Sequence, residues 1–202
     1  MSENRYALAG WLSIAQAVIF PLAVIVSIIQ GIIGVAVFDH RGPSGFGPSD
    51  LLLLLGTGLF VYTYYMFRQL LNERYNYHGL DMLITINIAL AILIQIGSFF
   101  SRVFITVLAP TLIGRPVVFF SMGFMILSAV AAGIVCILMA IQLLRAKEKL
   151  SDLITALAVV MLIEGVCLIT VILMPLQWVL LPVARIMLGT IFLRAKEQVE
   201  FV

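Results

Sequence analysis

Two residues of opposite charge sit inside otherwise apolar runs: Glu164 in Leu162-Ile163-Glu164-Gly165, and Arg185 in Val183-Ala184-Arg185-Ile186. An ionisable group is expensive to keep at bilayer depth, so such residues mark ion paths, proton relays or structural pairs. Their two runs meet at Met174-Pro175, and each residue lies about ten positions from that turn. In an antiparallel hairpin, residues equidistant from the turn share a depth. At about 1.5 Å per residue, both are expected roughly 15 Å below the interface, near mid-membrane. Two chemistries follow. A structural ion pair fixes the hairpin's register. A proton- or ion-responsive carboxylate, its protonation controlled by Arg185, serves transport. Pro182 adds to the site by leaving the Trp178 carbonyl without its helical donor. Such a carbonyl binds a cation or a water, or is satisfied by a neighbouring helix.

A second polar series runs Asn87, Gln95 and Arg102. The spacings of eight and seven residues are about two turns each, so the three share one helix face and form a possible hydrophilic seam. Arg102 stands close enough to a helix end for its long stem to carry the charge to the headgroups. Ala129, Gly133, Cys136 and Ala140 recur at three- and four-residue spacing, a small-residue face that lets another helix approach closely, within the chain or from a partner.

Other chemistry is thin. The two cysteines, Cys136 and Cys167, lie in apolar runs and form neither a disulfide framework nor a metal pattern. Neither zinc-ligand spacing nor a phosphate-binding loop occurs. His40 and His78 fall in loops on opposite sides of the expected membrane and so cannot share a haem. Asp50, Asp81 and Asp152 each begin an expected helix, where a carboxylate has a capping role. No enzyme activity, cofactor or metal is expected.

The elements that must position these residues follow from composition. The 202 residues are 63% hydrophobic, with 12 Lys/Arg and 10 Asp/Glu. A soluble domain carries about a quarter of its residues as charges, so these numbers exclude a soluble globular fold, a disordered chain and a nucleic-acid binder. They point to an all-α, polytopic transmembrane helical bundle. A span needs about 20 mainly apolar residues, and the chain offers five clear runs and one short one. Residues 1–15, with Tyr6 and Trp11, read as an interfacial lead-in. Spans are expected at about 16–37, 51–71, 81–108, 116–144, 152–174 and 176–193. Pro48-Ser49-Asp50 opens the second, Arg115-Pro116 puts a proline in the first turn of the fourth, and Ser151-Asp152 caps the fifth. The turn-rich segment from Phe38 to Asp50 reads as a connector. The N-terminal residues lack the basic start and cleavage site of a signal peptide, so the first segment is expected to be retained as an anchor.

Orientation follows from the basic residues of the short loops. With six spans and a cytoplasmic N-terminus, the inside segments hold Arg5, Arg68, Arg74, Arg145, Lys147, Lys149, Arg194 and Lys196, against Arg41 and Arg115 outside. Both termini are therefore expected in the cytoplasm, and the lack of a signal peptide fits a bacterial cytoplasmic membrane. Leu-Arg-Ala-Lys-Glu follows both the fourth and the sixth span, and Leu-Ile-Thr opens the third and the fifth. These echoes suggest three tandem helical hairpins related by a parallel repeat. Beyond the lipid bilayer, partners are expected to be other membrane subunits or further copies of the chain. The leading functional expectation is a non-catalytic structural or regulatory subunit of a larger membrane assembly. The alternative is a small oligomeric channel or transporter that uses Glu164 and Arg185.

Overall fold

The computed structural model describes residues 3–37, 47–108, 114–170 and 173–197. The chain is all-helical: α1 spans Glu3–Val37, α2 Pro48–Tyr75, α3 Asp81–Leu108, α4 Gly114–Arg145, α5 Asp152–Thr170 and α6 Gln177–Glu197. Each of the six contains a segment long and apolar enough to cross a membrane. His40 and Arg41, in the connector between α1 and α2, lie outside the described residues.

Local sequence sets the helix ends. At α2 the N-cap is Gly47, ahead of the expected Pro48-Ser49-Asp50. Proline has no N–H to satisfy and so occupies the first helical position, while the Asp50 carboxylate reaches back to accept the Gly47 N–H at 2.9 Å. The same helix closes on Asn76, in the left-handed region at φ 46°, and the Tyr77 N–H donates to the Leu71 carbonyl at 3.1 Å. Ser151 opens α5, its carbonyl accepting from the N–H groups of Ile154 and Thr155.

The expected start of the first span differs from the structure. No break separates a lead-in from the first span, because α1 runs unbroken for 35 residues through Pro21. Tyr6, Ala9 and Ser13 of its first turns are buried. The fifth helix is described over Asp152–Thr170, residues 171–172 lie outside the described residues, and a short 3-10 turn over Met174–Leu176 leads into α6.

Each helix packs on its neighbours in sequence, and α1 packs on α6, closing a ring. The largest interfaces are α4 with α5 and α1 with α6, which lie between the expected hairpins instead of within them. Two glycine pairs explain both. A methyl group built on Gly165 would stand 2.7 Å from the Gly133 carbonyl oxygen, and one on Gly133 would stand 2.8 Å from the Gly165 oxygen. On the far side of the ring, a methyl on Gly189 would come within 2.9 Å of the Gly10 carbonyl oxygen. Only glycine lets the backbones approach so closely.

The ring has two unlike ends. At the termini end lie the start of α1, the end of α6 and the connections from α2 to α3 and from α4 to α5. Tyr6 Oη donates to Glu73 at 2.7 Å, Arg74 donates to the Ala195 carbonyl, and Tyr77 Oη donates to the Gln142 carbonyl at 3.1 Å, tying these parts together. Burial holds the Tyr77 phenol above its ordinary range. Arg68 and Asp81 join α2 to the start of α3 at 2.8 Å, and Asn72 also donates to Asp81 at 2.9 Å. The opposite, loop end carries the connections from α1 to α2, α3 to α4 and α5 to α6. The large buried apolar side chains, among them Phe67, Leu70, Met139, Leu143, Met161 and Phe192, fill the half nearer the termini.

Candidate functional site

The interior of the other half is built from different material. Its buried apolar residues are small, Ala17, Ala23, Ala129 and Cys167, and polar side chains stand among them. Ser49 Oγ donates to Gln30 Oε1 at 2.7 Å, Gln16 Nε2 to the Gly56 carbonyl at 3.1 Å, and Thr57 Oγ1 to Gln95 Oε1 at 3.3 Å. Ser121, Ser128 and Gln177 are also buried. Gln16 Oε1 is buried without a hydrogen-bond partner.

Glu164 and Arg185 lie where the two halves meet, 7% and 3% exposed. Glu164 is six residues from the end of α5 and Arg185 eight from the start of α6. At about 1.5 Å per residue, that is roughly 9 Å and 12 Å from the loop end. Counted from these described helix ends, the two depths agree to within about 3 Å. No salt bridge joins the two side chains, so the expected pair is not closed to contact. The guanidinium of Arg185 instead lies over two aromatic rings of α2, 4.7 Å from the Phe60 centroid and 5.0 Å from that of Tyr64. Such stacking stabilises a cation through the ring quadrupole. Arg185 Nε has no acceptor. The backbone around the pair is held more firmly than the charges. Ser13 Oγ of α1 donates to the Arg185 carbonyl at 2.8 Å, and Gln177 Nε2 to the Glu164 carbonyl at 2.7 Å.

The site therefore combines a carboxyl group and a guanidinium, both buried, within electrostatic range of each other but not in contact. Phe60, Tyr64 and Ser13 belong to it and were not singled out in the sequence. Aromatic and hydroxyl residues are common throughout the chain, so only the tertiary contact distinguishes these three.

The remaining expected residues divide. Gln95 engages Thr57 across α2 and α3, whereas Asn87 is half-buried and makes no hydrogen bond among the described residues. The Arg102 side chain lies outside the described residues. The face of Ala129, Gly133, Cys136 and Ala140 is buried, and Gly133 seats directly on Gly165 of α5. Cys136 and Cys167 are free and buried. Among the described residues, no cluster of His, Cys, Asp and Glu is placed to hold a metal ion.

Fold and site together define an all-helical chain with six helices long and apolar enough to span a membrane, which suggests a membrane location. Comparison with protein families, curated proteins and solved structures finds no match for it.

Proposed function

We propose that the chain is a multi-pass membrane protein with both termini in the cytoplasm, and that Glu164 is its working group, a proton- or ion-responsive carboxylate under the field of Arg185. The observation that carries this reading is the state of the two charges: both are buried, and neither is consumed in a contact ion pair. A pair kept only to fix helix register gains most by closing to contact, because burying charges apart forfeits the attraction that offsets their desolvation. The polar side chains of the loop half supply a route by which water and small ions reach Glu164. The large apolar side chains of the termini half close the far side, so a complete passage requires the helices to rearrange. The small-residue face, one support for the subunit reading, is occupied within the chain by α5.

The test is proton and cation flux into proteoliposomes containing the purified protein. Wild type is expected to conduct, while Glu164→Gln keeps the wild-type melting temperature and loses the flux. A wild-type protein with no flux, or a Glu164→Gln variant with full flux, would reject this reading.

The subunit reading keeps one specific support. Around the loop-end part of α4, Phe119, Phe120 and Leu127 are 75%, 76% and 70% exposed, and α3 has no buried residue beyond Ile84 among its described side chains. The outer face of α3 and of the loop-end part of α4 therefore leaves apolar area for a partner. Co-purification in mild detergent tests it: a stoichiometric membrane partner supports a subunit, and a pure homo-oligomer counts against one.

A further inference from the structure

A cavity of about 210 Å³ opens at the termini end between α2, α5 and α6. It belongs neither to the Glu164 centre nor to the polar seam, and its lining is amphiphilic. Leu70, Ile191 and Ala195 are buried and form an apolar floor. Its charged groups come from three helices: Arg74 from α2, Arg194 from α6 and Asp152 at the start of α5, with the adjoining Ser151. Arg74 is held in the wall by its hydrogen bond to the Ala195 carbonyl. Arg194, Ser151 and Asp152 are exposed at the mouth.

Basic cavities between membrane helices at the water interface are suited to phospholipid headgroups. Guanidinium groups recognise phosphate oxygens. Asp152 introduces a further requirement, since a carboxylate beside a bound phosphate repels it unless the ligand brings its own cation. We propose that this cavity binds a lipid headgroup of the phosphoethanolamine type. Its phosphate is taken by Arg194 and Arg74, its ammonium donates to the Asp152 carboxylate, and its glycerol end rests on Leu70 and Ile191. A choline headgroup offers no N–H to Asp152, and a glycerol headgroup offers no charge, so both are poorer ligands. Soluble phosphoethanolamine has the same polar chemistry without the apolar part.

The experiment measures the melting temperature of the full chain in nanodiscs of phosphatidylcholine alone, and with about one third of the lipid replaced by phosphatidylethanolamine or phosphatidylglycerol. A fourth arm adds soluble phosphoethanolamine to phosphatidylcholine discs. A ligand of the folded state alone raises stability by mass action. Wild type is therefore expected to melt several degrees higher with phosphatidylethanolamine than with either other lipid, and to be unmoved by the soluble compound. Arg194→Gln is expected to abolish that rise, Asp152→Asn to transfer the preference to phosphatidylglycerol, and Arg145→Gln, outside the cavity, to leave it intact. An equal rise in Arg194→Gln would overturn the site, as would no rise in wild type. An unchanged preference in Asp152→Asn would overturn the role of the ammonium. A rise produced by the soluble compound would overturn the lipid as the ligand.

Discussion

The two halves of the bundle hold their helices together by different means. Near the termini, the interior is filled mainly by Phe, Leu, Ile and Met side chains, and a rim of tyrosine, arginine and carboxylate contacts surrounds it. Near the loops, the interior is made of alanine, serine, threonine and glutamine, and helices meet through single side-chain hydrogen bonds. Packing dispersion is collectively large and leaves no room for a second arrangement. Isolated interhelical hydrogen bonds in membranes are individually weak and readily exchanged with water or neighbours. A half built in the first way is a fixed base. A half built in the second way can hydrate and shift, and Glu164 and Arg185 stand on the boundary between them.

Mutations should separate the halves by the size of their effect. Phe67 is almost completely buried in the base, so Phe67→Ala should cost about 3–5 kcal/mol, through lost contacts and the cavity left behind. Unfolding of the reconstituted protein in a denaturing detergent would measure it. The glycine crossing of α4 and α5 comes next. A methyl on Gly165 meets a backbone oxygen at 2.7 Å, and the overpacking in Gly165→Ala should cost about 1–3 kcal/mol by the same measurement. The Arg68–Asp81 bridge is partly exposed at the rim, so Asp81→Asn should lose less than about 1 kcal/mol. Smallest of all should be Gln16→Leu in the loop half, which removes one hydrogen bond together with an unsatisfied carbonyl oxygen. Its expected change is about 0.6 kcal/mol or less. A cost for Gln16→Leu as large as that for Phe67→Ala would erase the distinction between the halves.

Much of this was legible along the chain. Six apolar runs gave the six helices, because bilayer thickness fixes how long such a run must be. Charges are rare enough for Glu164 and Arg185 to stand out against their surroundings. Pro48 and Asp50 marked the start of α2 to within a residue. The helix pairing was less accessible, since shared motifs after the fourth and sixth spans and at the start of the third and fifth suggested hairpins as the packing units. Interface size instead follows Gly133 with Gly165 and Gly10 with Gly189, residues far apart or unremarkable in an apolar sequence. The Gly133 face showed only that some helix comes close, not that α5 is the one. Likewise, matched spacing from a turn placed Glu164 and Arg185 at similar depth, yet depth does not specify azimuth. Arg185 faces Phe60 and Tyr64 because its long side chain reaches from α6 across the inside of the ring to α2, a relation that no periodicity encodes.

Cysteine accessibility tests the division most directly. In a Cys136→Ala, Cys167→Ala background, single cysteines replace Thr57 and Ser128 in the loop half and Met139 and Leu157 in the base. The protein is then exposed in sealed proteoliposomes to a membrane-impermeant thiol reagent, applied from each side in turn. The predicted result is labelling of Thr57→Cys and Ser128→Cys from the loop side alone, with Met139→Cys and Leu157→Cys inert from both sides. Equal labelling of all four positions, or of none, would contradict a hydrated half resting on a sealed base.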